Sequence, residues 1–229
     1  MGAKDGRKGV YLGHEPGHTR EAGMDLQKKT LGATERDEEA RSSFRERLND
    51  VDADRLVFVD ETSTNVALTP RYARAPRGER ARGKAPRNWG KNVTLLSSIT
   101  LEGMGPSMSI EGSSDTDSFG IYMREILAPS LKRGQIVLMD NLSVHTSGWV
   151  RELIEEKGCR LWLLPSYSPD FNPIEEAFSK VKQLLRKAKA RTLEVLFGAT
   201  AQALEAVSAD DAHGYFEYCG YKMPEDHSL

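Results

Sequence analysis

The sequence predicts an α/β fold in which helices cover both faces of a mixed sheet. Two short apolar runs, at 56–59 and 136–139, have the length and unbroken hydrophobicity of strands that are buried on both faces. Two further strand patterns, at 92–100 and 104–110, are separated by a Glu-Gly pair and predict a hairpin. Because helical and strand patterns alternate after this hairpin, we expect parallel and antiparallel pairing in one sheet.

The remaining elements follow the hydrophobic period along the chain. A short amphipathic helix is predicted behind a Thr34 cap, because Ala40, Phe44 and Leu48 recur every four residues. The later predicted elements are a helix at 117–127, a helix at 149–156 closed by Gly158, a strand at 161–164, a long helix from Asn172 to about Ala190, and a helix at 192–207.

Composition limits the class of protein. The 229 residues are 38% hydrophobic, which is enough for one sizeable domain. We expect a polar leader with its short helix at 1–50, the folded domain at 51–223 and a tail at 224–229. A net charge of -2 gives no overall basic field, so any nucleic-acid contact must come from local clusters. No apolar run approaches the roughly 18 residues of a membrane span, and two separated cysteines fit a reducing cytoplasm.

Two aspartates follow the two apolar runs directly. If the strands ending before Asp60 and Asp140 are parallel neighbours, their carboxylates emerge at one sheet edge about 5 Å apart. Two adjacent anions repel, and oxygen ligands favour a hard cation such as Mg²⁺ or Mn²⁺. Glu175, in the first turn of the long helix, is placed to supply a third carboxylate. The pattern predicts a two-metal centre for displacement at phosphorus.

Local structure offers another interpretation of the same acids. An aspartate just past a strand is common turn chemistry. The segment from Asn172 to Glu175 is also a good capping box, with Asn172 as the cap and Pro173 at the first helical position. On local grounds alone, capping is the stronger interpretation of Glu175.

Three segments around these acids resemble known catalytic motifs. The stretch LLPSYSPDFNPIE, residues 163–175, looks like the third motif of the mariner superfamily of DDE transposases, particularly its bacterial insertion-sequence branch. The segment at 59–61 resembles the first motif. The segment at 138–141, followed by His145, resembles the second. The similarity covers roughly 57–221, and the 34 residues between the second and third acids are one of the spacings by which this superfamily is classified.

The resemblance implies a ribonuclease-H-like fold and a transposase activity that cuts and rejoins DNA. It makes Asp60, Asp140 and Glu175 the ligands of two Mg²⁺ ions, with Mn²⁺ as a substitute and Glu176 as the alternative third ligand. It further implies double-stranded DNA partners (element ends and TA-containing targets), a homodimer and a nucleoid-associated, cytoplasmic location. Full-length relatives carry helix-turn-helix domains before the catalytic domain, so we expect recognition of the element ends to need such a domain.

Two basic segments are candidate DNA contacts. Residues 71–91 carry eight Lys or Arg against one Glu, and a second cluster, which begins with Lys180 and Lys182, follows Glu175 along the long helix. The candidates in the first segment are Arg77, Arg80, Arg82, Lys84, Arg87, Trp89 and Lys91. A solvated surface is the alternative for both segments. Two other functions also stay open: a nuclease that hydrolyses without joining, and a non-catalytic DNA-binding remnant.

Overall fold

One mixed sheet organises the computed structural model, which describes residues 36–87, 90–141 and 147–224. The strands are β1 (Leu56–Thr64), β2 (Val93–Thr100), β3 (Gly103–Met104), β4 (Met108–Glu111), β5 (Ile136–Met139) and β6 (Arg160–Leu163). The helices are α1 (Glu38–Leu48), α2 (Thr116–Ile121), α3 (Gly148–Glu156), α4 (Pro173–Ala188), α5 (Leu193–Glu205) and α6 (Ala209–Tyr218). The strand order is β3-β2-β1-β5-β6, and β4 also pairs with β2.

The central strand β1 is longer than its apolar run predicts. It pairs antiparallel with β2 and parallel with β5, and β5 pairs parallel with β6. The predicted mixed sheet is therefore confirmed. Asp60 lies within β1, and the prediction that the strand ends before it is wrong. The polar second half of β1 continues as a strand, because Thr62 and Thr64 are buried whereas Glu61 and Ser63 are exposed.

The predicted hairpin is present, but its second strand is divided into the two short strands β3 and β4. β3 pairs with the end of β2 and β4 with its beginning. Gly103 begins β3 directly after the turn with φ +114°, and a Cβ there would lie 3.0 Å from the Val207 carbonyl oxygen. Only glycine fits both the conformation and this close approach. Pro106 lies between β3 and β4 and cannot donate a ladder hydrogen bond.

Alternate residues of each central strand enter two separate cores. Leu56 and Phe58 pack with α1, α4, α5 and α6 on one face. Val57 and Val59 pack with the α2 region and α3 on the other. This alternation explains why the apolar run has no polar member. Within the described residues, no helix combines the length and hydrophobicity needed to span a bilayer.

Three helices differ from the prediction. α1 begins after Asp37, whose carboxylate caps Ala40 N–H, whereas the predicted cap Thr34 lies outside the described residues. The single helix predicted at 117–127 is α2 followed by a wider π turn at Tyr122–Leu127. The helix α6 was not predicted, because only Ala212 and Phe216 among its ten residues are buried, which leaves a narrow apolar face.

The helix α1 shares the core of the sheet. Phe44 and Leu48 are buried in the same cluster as Phe58, and Phe44 stacks on Phe171 at 5.5 Å between ring centroids. The division at residue 50 stays a prediction. The packing of α1 favours a domain boundary before Glu38.

Candidate active site

The register of the sheet brings Asp60 and Asp140 to the same level. Phe58 of β1 pairs with Leu138 of β5, and each aspartate lies two residues further along its strand direction. β1 and β5 are parallel neighbours, which is the condition on which the expectation of a common site depended. Both aspartates line one open cavity of about 440 Å³. The two carboxylates therefore lie on the wall of a common site.

Glu175 lines this cavity from the first turn of α4. Its neighbour Glu176 lines a different cavity, together with Asp210 and Tyr218. Successive helical residues are about 100° apart, so the two glutamates occupy different faces of α4. This arrangement favours Glu175 over Glu176 as the third acid.

The three carboxylates are not a ready-made ligand cluster. Within the ranges that the structure describes, no three His, Cys, Asp or Glu side chains lie close enough together to hold one ion. The cavity nevertheless offers the oxygen donors that hard cations prefer. Glu175 is an exposed residue that lines this cavity.

Asn172, at the start of α4, makes a direct contact with the first acid. Its amide nitrogen donates a hydrogen bond of 2.8 Å to Oδ2 of Asp60, and Glu61 N–H donates one of 2.7 Å to Oδ1. Asn172 occupies the cap position and Pro173 the first helical position, as predicted. The prediction that the Asn172 side chain caps the helix is wrong, because it makes no capping hydrogen bond.

The segment before α4 is anchored to α1. Arg41, only 4% exposed, donates to Ser168 Oγ at 2.5 Å and to both carboxylate oxygens of Asp170 at 3.1 and 2.6 Å. Burial opposes ionisation of Asp170, but the hydrogen bonds and charge of Arg41 outweigh it and hold the pKa of that carboxyl below its usual range. On the other side, Tyr221 Oη donates to the carbonyl of Phe171 at 2.5 Å. These contacts fix the start of α4.

Tyr167 is an exposed aromatic residue in the wall of the cavity. Its side chain is 59% exposed, and its φ of +56° lies in the left-handed region that bulky residues rarely adopt. In the sequence, this tyrosine is only one member of the third motif. No residue pattern predicts a positive φ at a tyrosine, so the conformation of Tyr167 could not be predicted from the sequence.

The first basic segment forms the connection between β1 and β2. Arg77, Arg80, Arg82, Lys84 and Arg87 are exposed. Lys91 is exposed too, but forms an ion pair with Glu111. Trp89 lies outside the described residues, as does His145.

The second basic cluster is divided by the faces of α4. Lys180 forms an ion pair with Asp211 of α6 and is thereby directed away from the cavity. Lys182 is seven residues after Glu175, a spacing that returns to the same helical face. Arg191 donates to the carbonyl oxygens of Val66 and Leu68 at 2.8 and 3.0 Å and so anchors the start of the basic connection.

Comparison with known proteins identifies relatives of this arrangement. A family model described as DDE superfamily endonuclease matches residues 55–196. The transposable element Tc1 transposase of Caenorhabditis elegans is 27% identical over 150 residues, which are 62% of this chain and 55% of that protein. The chain thus spans little more than half the length of this relative.

Solved structures share the fold. A pre-cleavage Mos1 transpososome is similar with a TM-score of 0.65 at 17% identity, over 87% of this chain and 64% of that chain. The Mos1 transposase catalytic domain, solved with Raltegravir and Mg, gives 0.61 at 18% identity, over 82% of this chain and 94% of that one. The predicted ribonuclease-H-like fold is confirmed.

Proposed function

Because the chain belongs to the DDE superfamily endonuclease family, whose model spans residues 55–196, we propose that it is the catalytic part of a DNA transposase. The single observation that carries this proposal is the common cavity of Asp60, Asp140 and Glu175. The similarity to the Tc1 transposase supports it. The activity would be cleavage of a phosphodiester bond followed by joining of the freed 3′-hydroxyl to target DNA.

The donor set of the cavity fits divalent cations. Its acids offer carboxylate oxygens only, which suit Mg²⁺ and, as a substitute, Mn²⁺. Asp60, Asp140 and Glu175 would hold two ions, and the Mos1 catalytic domain has been solved with Mg. When bound, such ions supply a Lewis acid for the attacking and leaving oxygens at phosphorus.

The chain's own residues would position the DNA. The exposed arginines of the connection after β1 offer fork-shaped donors that match phosphate oxygens. Lys182, on the Glu175 face of α4, would contact the phosphate backbone beside the acids. Lys180 is held by Asp211, and Lys91 is paired with Glu111, so we give these two a smaller part in DNA contact.

The wider setting follows from the resemblance of the motifs. We infer double-stranded element ends and target DNA as partners, and a homodimer as the form that acts on them. A bacterial insertion sequence remains our proposal for the source of the chain, and a nucleoid-associated, cytoplasmic location goes with it.

Nicking of DNA tests the assignment of the acids. The full chain is incubated with supercoiled plasmid and Mn²⁺, and we expect nicking that Asp140→Asn and Glu175→Gln each reduce at least about 100-fold, while Glu176→Gln retains it. If Glu176→Gln is inactive and Glu175→Gln active, the third acid is Glu176. If nicking is unaffected by Asp140→Asn, the metal site is wrongly placed.

Joining of DNA separates the rival functions. Labelled duplexes with free 3′-hydroxyl ends are supplied together with plasmid, and joined product is expected from a transposase. Cleavage without joining would favour a nuclease. Binding without any Mn²⁺-dependent cleavage would favour a non-catalytic remnant.

A further inference from the structure

Asn172 is buried beside the first acid and has an unused acceptor. Its side chain is 5% exposed, and its amide nitrogen lies 2.8 Å from Oδ2 of Asp60. The amide oxygen Oδ1 is buried without a hydrogen-bond partner among the described residues. Leaving a polar atom in that state destabilises the folded protein, and a residue that served only to start a helix would not require it.

We propose that Asn172 is a positioning residue that fixes the Asp60 carboxylate for metal binding, an inference that rests on the proposed function. Asp60 is held at Oδ1 by Glu61 N–H and at Oδ2 by Asn172. Such restraint fixes the rotation of the carboxylate about its side chain, so its remaining lone pairs have set directions.

The chemical type of the side chain suits this role. A neutral amide donates a hydrogen bond to the carboxylate without placing a positive charge beside it. A lysine or arginine at the same place would compete with that cation for the carboxylate. Asparagine also carries an acceptor on the same group, and its Oδ1 is buried without a hydrogen-bond partner among the described residues.

Asn172 also sets the distance between two acids. Its backbone carbonyl accepts a hydrogen bond of 3.1 Å from Glu175 N–H, while its side chain reaches Asp60. One residue thereby connects strand β1 to the first turn of α4. Pro173, with its fixed φ, follows at once and limits how far this connection can rotate.

Mn²⁺ binding in the absence of DNA tests the proposal independently of activity. Electron paramagnetic resonance of free Mn²⁺ is used to titrate the parent chain and its variants Asn172→Ala, Asn172→Ser and Asn172→Asp. We expect each variant to bind Mn²⁺ about 10-fold to 100-fold more weakly than the parent. Asn172→Asp keeps the shape but replaces the donor with an acceptor, so it should fail as well.

Serine distinguishes positioning from capping. Serine is a good helix cap, but its side chain is too short to reach the Asp60 carboxylate. Asn172→Ser should therefore keep the parental Mn²⁺ affinity only if the role of Asn172 is to cap α4. Thr192→Ala is the matched control, because it removes the side-chain cap of α5. It should lower the melting temperature while leaving Mn²⁺ affinity unchanged. If Asn172→Ala does not fold, the isosteric Asn172→Asp decides the matter.

The outcomes separate this inference from the proposed function. If the parent binds Mn²⁺ and nicks plasmid while Asn172→Ala and Asn172→Asp bind Mn²⁺ equally well, the positioning role is wrong and the proposed function stands. If the parent neither binds Mn²⁺ nor nicks plasmid, the positioning role and the proposed function are both wrong. In plasmid nicking, a positioning role predicts that higher Mn²⁺ concentration restores part of the lost rate of Asn172→Ser.

Discussion

Arg41 of α1 forms a bidentate ion pair with Asp170, two residues before Asn172, with N–O distances of 3.1 and 2.6 Å. The same guanidinium lies 4.1 Å from the ring centroid of Phe171. A helix at the start of the described chain is therefore joined to the segment that leads into Glu175.

Replacing Arg41 should destabilise the protein. Arg41→Ala leaves Ser168 without this donor and Asp170 with only the longer 3.4 Å contact from Arg36, and we expect a loss of about 2 kcal/mol in the free energy of unfolding. This is below the roughly 3 to 5 kcal/mol of a fully buried pair, because the Asp170 side chain is 45% exposed. Urea unfolding measures the effect. Arg45→Ala is the control: Arg45 is exposed and contacts only the Phe171 ring among these groups, so its loss should stay below about 1 kcal/mol.

Acid should weaken the contact between α4 and α6. The hydrogen bond from Lys180 and the Ser208 N–H lower the pKa of Asp211 to about 2 against a usual value of 3.8. Because the folded-state pKa is the lower one, the stabilisation is present above about pH 4 and is lost as the pH falls toward 2. Asp211→Asn should cost about 1 kcal/mol at pH 7, in keeping with a partly exposed pair. The free energies of unfolding of the parent and Asp211→Asn, measured at pH 7 and pH 3, check this direction. A difference between the two proteins that is larger at pH 3 than at pH 7 contradicts it.

Lys189 ends α4 in a left-handed conformation, with φ +52°. This conformation costs most residues roughly 1 to 2 kcal/mol, whereas glycine adopts it freely. Lys189→Gly should therefore stabilise the protein by about 0.5 to 1 kcal/mol, part of the gain being offset by the greater freedom of glycine in the unfolded chain. Lys187→Gly, inside the last turn, should instead destabilise by a similar amount. Thermal unfolding of both variants compares them. Equal effects of the two substitutions on stability would show that the left-handed conformation of Lys189 does not cause the difference expected between them.

The sequence could predict those parts of the site that depend on local pattern. The apolar runs before Asp60 and Asp140 predict buried strands, whereas the parallel pairing of these strands is seen only in the structure. β1 continues to Thr64, and the alternating threonines at 62 and 64 were a usable signal for this extension. The helix α6 was missed because its buried face is narrow, and its capping box of Ser208 and Asp211 was the signal that remained.

The contacts that hold the site together were beyond local pattern. The hydrogen bond between Asn172 and Asp60 joins residues 112 apart, and the ion pair between Arg41 and Asp170 joins residues 129 apart. In the sequence, an asparagine before a proline and a glutamate has the pattern of a helix cap, and the cap position is indeed correct. Which group the side chain bonds depends on the packing of α4 against β1, which no local pattern contains.

The two lysines of α4 offer a matched test of DNA contact. Lys182 shares the Glu175 face, whereas Lys180 is paired with Asp211. A lysine that neutralises a phosphate releases counterions, so Lys182→Ala should weaken binding to duplex DNA and reduce the slope of log affinity against log salt by about 1. Lys180→Ala should leave that slope unchanged and lower stability instead. Fluorescence anisotropy over a range of salt concentrations measures both. If Lys180→Ala lowers the slope and Lys182→Ala does not, the DNA path along α4 lies on the α6 side, away from the cavity of the three acids.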